Sequence, residues 1–341
     1  MKRILLVIGV VLTALPLGSQ AQAPAPERYT PPRTHDGQPD LQGIWTTQTY
    51  TPLQRPQRYA GREFLSEEEA TELIQLLTQE GVNPLAGGIF AASDEERRKQ
   101  IQQTDPTHYN NAVWLTTSRP KSLSSRRTSL ITDPPDGTIP PLTPEAQQRA
   151  AARRAAANFD SYENRPLQER CVVWSHEGPP MIPPPYNDVL QIIQTPGYVV
   201  VFRELATAPR LIRTDGRSHV SEKLRLWNGD AVGRWEGDTL VVDTTNFTDK
   251  TAFQGSSAAL HVVERFTRVS ADRILYQFTV EDPATWTRSW SAEIPMLQAE
   301  GPLFEYACHE GNYGSVNILR GARAMEKEAA TKAARTPPKE R

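Results

Sequence analysis

The sequence predicts a mainly β protein in which an antiparallel meander closes into a β-barrel, preceded by helical and loop decoration. From about residue 187 to residue 312, short segments with alternating apolar side chains are separated by polar turns such as Asp215-Gly216. Consecutive strands without intervening helices are typical of an antiparallel meander. About eight to ten strands are expected, and their closure into a barrel removes the exposed edges of an open sheet.

The strands are predicted where apolar and polar residues alternate or where β-branched residues cluster. One hairpin is marked by the turn Glu236-Gly237-Asp238 between two apolar runs. The predicted strands cover residues 189–194, 198–205, 210–213, 234–243 (the hairpin), 260–269, 274–281, 286–296 and 303–308.

The chain divides into five parts by composition. They are a signal peptide (1–21), an extended proline-rich leader (22–40), a strand with helices and loops packed on the barrel (41–170), the barrel (171–321) and a frayed or disordered tail (322–341). Helices are expected at 66–78, 93–103 and 144–158. Ser66 and Glu69 form a capping box, and Pro144 stands at the first position of the third helix.

The amino terminus predicts export to the periplasm or the medium. Lys2 and Arg3 precede an apolar run that is too short to span a bilayer comfortably, and small residues lead up to a cleavage site after Ala21. Removing residues 1–21 takes away two basic residues and no acidic one, so the formal charge falls from −2 to −4. Such a chain lacks the basic surface that nucleic acid requires. We expect a small-molecule ligand, no nucleic-acid partner, no membrane span in the mature chain and no cofactor; the oligomeric state stays open.

The two cysteines, Cys171 and Cys308, predict a disulfide. In an oxidising compartment an isolated pair is most simply joined, which would tie the start of the barrel region to its end. The alternative is a catalytic Cys308 beside His309.

Four runs of the sequence are similar to those of a large group of exported bacterial proteins. They begin at Arg127 (RTSLITDPPDG), Gly233 (GRWEGDTLVVDTTNF), Val263 (VERFTR) and Tyr306 (YACHEGNY). The resemblance covers most of the mature chain and implies membership of that group, but it carries over no catalytic residue.

A shorter pattern, Gly43-x-Trp45, resembles the first strand of lipocalin-type (calycin) barrels. In those barrels the tryptophan plugs one end. The resemblance implies that the predicted barrel is lipocalin-like.

Two predicted strands carry a charged residue on an otherwise apolar face. Because side chains alternate along a strand, Glu264 lies among apolar neighbours and Arg288 shares its face with Trp286 and Trp290. Glu204 closes a third apolar strand. An ionised group among apolar side chains needs a partner or a function. If both glutamates point inward, Arg288 holds one as an anion while the other transfers protons; the alternative is a structural Glu264–Arg288 ion pair without chemistry.

A polar run follows the last predicted strand. His309, Glu310 and Tyr313 together could line the rim where a ligand enters, with His309 as a general base. Trp286 and Trp290 are either core residues or stack against an aromatic, steroid-like or glycosidic ring.

Familiar catalytic and metal-binding motifs are missing from the sequence. Gly-x-Ser-x-Gly, the Walker loop, Gly-x-Gly-x-x-Gly and His-Glu-x-x-His do not occur. The six histidines do not stand at metal-ligand spacing, so no metal is expected. A site assembled from the distant His176, His219 and His309 is left open.

The sequence thus predicts a protein that binds a small organic molecule inside its barrel, and it leaves open whether the protein is an enzyme. A lyase, isomerase or hydrolase would use Glu264 and His309 as acid and base and Arg288 to stabilise negative charge. The other site candidates would bind the ligand. The alternatives are a non-catalytic calycin-like binding protein with the same pocket and an envelope scaffold whose barrel is filled by side chains.

Overall fold

The computed structural model describes residues 29–77, 95–96, 123–156, 160–174, 177–184, 188–250 and 253–335. The predicted signal peptide (1–21), the first part of the predicted leader (22–28), most of the predicted helix at 93–103 and His176 lie outside the described residues.

Within the described residues, nine strands form a closed barrel, so the predicted mainly β barrel fold is confirmed. The ten strands of the sheet are β1 (Gly43–Thr46), β2 (Ile131–Asp133), β3 (Val189–Thr195), β4 (Tyr198–Arg203), β5 (Arg210–Arg213), β6 (Asp230–Glu236), β7 (Thr239–Thr245), β8 (His261–Ser270), β9 (Arg273–Glu281) and β10 (Trp290–Gln298).

The barrel is a meander that is closed by a strand from early in the chain. Strands β3 to β10 neighbour one another in sequence order, and β1 pairs with both β3 and the end of β10. β2 pairs with the beginning of β10, beside the barrel. The pairings are antiparallel except between β5 and β6, which run parallel and share the single pair Arg213–Val232.

Three α-helices accompany the barrel in the described part: α1 (Glu67–Leu77), α2 (Pro144–Ala156) and α3 (Tyr313–Arg335). The capping box of α1 is confirmed, because the Glu69 N–H donates to Ser66 Oγ at 3.2 Å and the Ser66 N–H donates to the Glu69 carboxylate at 2.8 Å. α3 includes residues 322–335, which the sequence predicted to be frayed or disordered. Its many alanine, lysine and glutamate residues favour helix although the helix buries only Ala322.

Two predicted strands at the carboxyl end differ from the structure. Residues 303–308 form no strand, because both edges of β10 are already occupied, one by β9 and the other by β1 and β2. The strand predicted at 286–296 begins only at Trp290, since the chain bends between Trp286 and β10. This bend breaks the side-chain alternation from which the orientation of Arg288 was predicted.

The predicted disulfide between Cys171 and Cys308 is confirmed. It joins the segment before β3 to the segment after β10, across 137 residues of sequence. A cross-link of a loop this long stabilises the folded state by roughly 5 kcal/mol in the chain-entropy model. No helix among the described residues has the length and apolar character needed to cross a membrane.

Side chains fill the barrel, and both of its ends are covered. Apolar residues from all nine barrel strands, together with inserted loop residues, form one buried cluster. At one end the indole of Trp45 is fully buried, donates to Leu41 O at 3.0 Å and lies 5.4 Å beneath the Arg268 guanidinium. At the other end residues 177–184, which we call the plug, cross the opening and bury Met181.

Replacing Trp45 with alanine should lower the free energy of unfolding by about 3–5 kcal/mol, because the cavity left behind removes the contacts that close this end of the barrel. Urea unfolding would measure the loss. The matched control is Trp227→Ala, since Trp227 is 39% exposed and its removal should cost about 1 kcal/mol or less. Equal losses for the two variants would contradict a closing role for Trp45.

Candidate functional site

The Glu264 carboxylate is fully buried on the inner face of β8, as its position in the strand predicted. Its partner is Arg210 of β5, which donates to both carboxylate oxygens, at 2.8 Å to Oε1. Arg210 also donates to Thr244 Oγ1 at 3.0 Å, and the Tyr276 hydroxyl donates to Glu264 Oε1 at 2.8 Å. Burial tends to lower the pKa of Arg210, but the Glu264 charge raises it above its ordinary value. Burial raises the pKa of Tyr276 well above its usual range, so its hydroxyl remains a donor.

The predicted Glu264–Arg288 pair is wrong. Arg288 lies in the bend before β10, is 51% exposed, and pairs with Asp133 at 2.5 Å. His309 is exposed in the turn that follows the disulfide. The structure therefore brings neither Arg288 nor His309 into contact with Glu264, and the predicted catalytic group does not assemble.

A second buried ion pair lies at the same end of the barrel. Arg203, the last residue of β4, donates to Asp188 Oδ1 at 2.7 Å and to Thr47 Oγ1 at 3.2 Å. Thr47 in turn donates to Asp188 Oδ2 at 2.6 Å. Arg203 is on the buried face of β4, with Val199 and Val201. Glu204 follows the end of the strand, so its burial there does not come from the strand alternation that the sequence predicted.

Both ion pairs hold the plug in place. Arg203 donates to Ile182 O at 2.9 Å, and the Met181 N–H donates to the Tyr276 hydroxyl at 2.9 Å, which is bound in turn to Glu264. The buried charges thus fix two consecutive residues of the plug from opposite sides. Their arrangement is that of a structural network in which all four carboxylate oxygens are hydrogen-bonded. Arg210 Nε, by contrast, is buried and has no hydrogen-bond partner among the described residues.

A cavity of about 720 Å³ opens above the plug, and we call it the mouth pocket. This volume lies within the range of small-molecule sites. It is bounded by plug residues, by the loops next to β6, β7 and β8, and by the segment that carries Cys171. Its apolar lining residues are Tyr162, Pro166, Leu167, Val173, Trp174, Pro179 and Phe253.

The segment after β10 supports one wall of the mouth pocket from behind. Trp174 donates through Nε1 to the Tyr306 hydroxyl at 2.7 Å, and the two rings meet edge to face. The disulfide and a hydrogen bond from Asn312 Nδ2 to Glu169 O at 3.3 Å connect the same two segments. The wall is therefore held to the rest of the molecule by a covalent bond and by directional contacts.

The charged lining of the mouth pocket is mainly cationic. Four basic residues line it against two carboxylates: Arg153, Arg165, Arg170 and Lys250 against Glu163 and Asp249. Within the described part of the chain, Arg165 is the one of these four that pairs with a carboxylate, that of Glu169 at 2.8 Å.

Glu177 is the first residue of the plug. It precedes Gly178 and contacts Trp174 and Asn228, and these three residues line the mouth pocket. It accepts hydrogen bonds from the Trp174 N–H at 3.2 Å and from Asn228 Nδ2 at 2.7 Å. Burial raises the pKa of Glu177, and these hydrogen bonds offset that effect only in part. The side-chain oxygen of Asn228 is buried and has no hydrogen-bond partner among the described residues.

The predicted ligand-binding residues do not line the mouth pocket. Trp286 and Trp290 are buried, with their rings in an edge-to-face contact, and they belong to the apolar core. Glu310 and Tyr313 are exposed. Phe253 connects the two regions, because it lines the pocket and stacks on Trp290.

A chain of histidines and carboxylates lies on the outer face of the barrel. His219 contacts Asp230 through Nδ1 and Asp243 through Nε2, each at 2.9 Å, and His261 Nε2 contacts Asp243 at 3.0 Å. These contacts fasten the loop between β5 and β6 to the wall. Among the described residues, no group of three or more histidine, cysteine or acidic side chains is arranged to hold a metal ion.

The sequence pattern does not reveal the residues of the mouth pocket because, apart from Arg153 of α2, they come from the segments between the helices and the strands. Their spacing follows no strand or helix period, so no pattern joins Tyr162 to Lys250 or Asn228. The one local signal is the pair Trp174 and Glu177, three residues apart, whose backbone and side-chain hydrogen bonds form a turn.

Replacing Glu264 with glutamine should lower the free energy of unfolding by about 3–5 kcal/mol, because Arg210 would stay buried without its anion. The double variant Glu264→Leu, Arg210→Met should recover much of that loss. Urea unfolding of both variants, with the exposed Glu281→Gln as control, tests this. A single variant as stable as the wild type would contradict the structural role of the pair.

The raised pKa of Glu177 predicts a pH-dependent stability difference. A carboxyl whose pKa is raised by folding contributes stability below its unfolded value, about 4.3, and loses that contribution as pH rises through the folded value. The wild type should therefore gain stability relative to Glu177→Gln as pH falls from 8 toward 4. Urea unfolding across this window measures the difference, with Glu163→Gln as the exposed control. A difference that stays constant with pH would contradict the prediction.

Comparison with known proteins supplies no function for this chain. No protein-family model, curated protein or solved structure matches it. Any functional conclusion therefore rests on the geometry of the mouth pocket and on the charges around it.

Proposed function

We propose that the protein is an exported binding protein that takes a small organic molecule into the mouth pocket. The observation that carries the proposal is a cavity of about 720 Å³ in which aromatic and aliphatic residues line the wall beside about as many polar and charged ones. A cavity of this size lies within the range of small-molecule sites. The ligand lies above the plug, because apolar side chains already fill the barrel below it.

Aromatic side chains of the mouth pocket suit a flat ligand. Trp174, Tyr162 and Phe253 come from three different segments and all face the cavity. Ring stacking contributes about 0.5–1.5 kcal/mol per contact beyond the burial of apolar area. Aromatic or steroid-like molecules are therefore favoured, and a glycosidic ring would stack in the same way.

Export is supported by the amino-terminal sequence and by the disulfide. Residues 1–21 have the order of a signal peptide, and disulfides persist in oxidising compartments. The resemblance of the four sequence runs to those of exported bacterial proteins would point in the same direction. Binding needs no proton transfer, so no residue of the pocket is given a catalytic role.

The filled barrel supports a second candidate function, that of an envelope scaffold without a ligand. The interior contains the tightly packed cluster that a purely structural barrel would have. The two readings differ in the mouth pocket, which a scaffold would not use.

Screening the purified protein by thermal shift against aromatic, steroid-like and glycosidic molecules should identify a ligand. Tyr162→Ala should then weaken binding about tenfold or more, because a stacking surface is lost. Tyr313→Ala is the matched control, since Tyr313 is 75% exposed and lies outside the mouth pocket. Isothermal titration calorimetry measures both affinities. The absence of any ligand, or equal effects of the two variants, would favour the scaffold.

A further inference from the structure

One segment between β5 and β6 presents large apolar side chains to solvent. Residues 221–227, which we call the rim segment, are all exposed. The exposed fractions are 57% for Leu224, 44% for Leu226 and 39% for Trp227. Single apolar residues on a surface are common, but three within four positions form a patch, and exposed apolar patches mark interaction sites.

This exposure does not come from a loosely held loop, because hydrogen bonds fix the backbone of the rim segment against its neighbours. The Leu226 N–H donates to Asn246 O at 2.9 Å, and Leu226 O accepts from the Thr248 N–H at 3.0 Å. The Arg225 guanidinium donates to Ala258 O at 3.0 Å. The fold therefore keeps these apolar side chains on the surface.

The rim segment adjoins the mouth pocket. Asn228, the next residue along the chain, lines that pocket. Thr248, which is hydrogen-bonded to Leu226, is followed by Asp249 and Lys250, and both of these also line the pocket. A partner that covers the rim segment would therefore lie beside the opening of the mouth pocket.

The charge around the rim segment suits an anionic bilayer surface. Lys223 and Arg225 alternate with the leucines, against the single carboxylate of Glu222, and the adjoining pocket lining is mainly cationic. The chain as a whole is acidic, with a formal charge of −4 after removal of residues 1–21. In an interfacial segment, leucines enter the boundary of the acyl chains while basic side chains reach the headgroups. Tryptophan favours the same depth.

We propose that the rim segment docks the protein on a lipid bilayer that contains anionic lipids. Leu224, Leu226 and Trp227 enter the boundary between headgroups and acyl chains, and Lys223 and Arg225 contact the headgroups. The mouth pocket then opens beside the bilayer, in which an apolar ligand would be dissolved. The docking itself does not depend on the proposed function, because it is measured without a ligand.

Cosedimentation with vesicles measures the docking. The wild type should bind vesicles of equimolar phosphatidylglycerol and phosphatidylcholine. The double variant Leu224→Ser, Leu226→Ser should bind about tenfold or more weakly, because the apolar contribution of two leucines is lost. Leu211→Ser is the matched control, since Leu211 is 58% exposed in β5, outside the rim segment, and its replacement should leave binding unchanged.

The contribution of the headgroups is measured with a charge variant. Lys223→Gln should weaken binding to the anionic vesicles about fivefold and leave binding to pure phosphatidylcholine unchanged. Lys327→Gln, which replaces an exposed lysine of α3, should change neither. Added salt should weaken binding to the anionic vesicles only.

Trp227 reports whether the rim segment enters the bilayer or only adsorbs to it. Phosphatidylcholine with brominated acyl chains should quench part of the tryptophan fluorescence of the wild type, and Trp227→Phe should lose this quenching. The measurement on the wild type stays decisive if the leucine double variant does not fold.

The proposal is overturned by any of three results. They are no vesicle binding by the wild type, equal binding by the leucine double variant and Leu211→Ser, and quenching that persists in Trp227→Phe. Absence of vesicle binding would leave a protein partner for the rim segment. A ligand found by thermal shift is titrated without vesicles, so a failure of docking is distinguishable from a failure of ligand binding.

Discussion

Two buried arginine–carboxylate pairs determine how the upper end of this barrel is built. Arg203–Asp188 and Arg210–Glu264 are almost completely buried, and each charge has several hydrogen bonds. A buried pair contributes little net stability on its own, because desolvation offsets the attraction. What these pairs do is fix position: they bind the plug through Ile182 O and, by way of Tyr276, through the Met181 N–H. The plug then closes the barrel and forms the floor of the mouth pocket.

Side-chain contacts also stabilise the junction between β5 and β6, where the sheet has few backbone hydrogen bonds. β5 and β6 share one parallel residue pair, where the other neighbours share longer ladders. Arg210 of β5 reaches inward to β7 and β8, and Arg213 of β5 binds Asp230 of β6 at 2.9 Å on the outside. Asp230 also accepts from the loop between these strands. Ionic contacts on both faces of the wall thus replace backbone hydrogen bonds that the local geometry does not allow.

Strand alternation was the part of the structure that the sequence could reveal, and it placed Glu264 correctly inside. The same rule failed at Arg288, because a bend lies between Trp286 and β10, and a bend resets the alternation. The sequence pattern does not indicate Arg210 as the partner of Glu264, because the position of β5 in the sheet depends on a loop that strand alternation does not describe. The mouth pocket was missed for the same reason: its residues are brought together by loops, by the plug and by a disulfide, and none of these has a period.

The closing strand β1 has a consequence for assembly. It is four residues long, and its two partner strands follow much later in the chain, β3 from residue 189 and β10 from residue 290. Without it, β3 and the end of β10 would each present unpaired backbone groups, and such edges attract other strands. A β1 strand from another copy would satisfy them equally well, because the hydrogen bonds do not depend on which molecule supplies the strand. The strand that closes the ring within one chain is therefore also the element through which two copies would exchange strands.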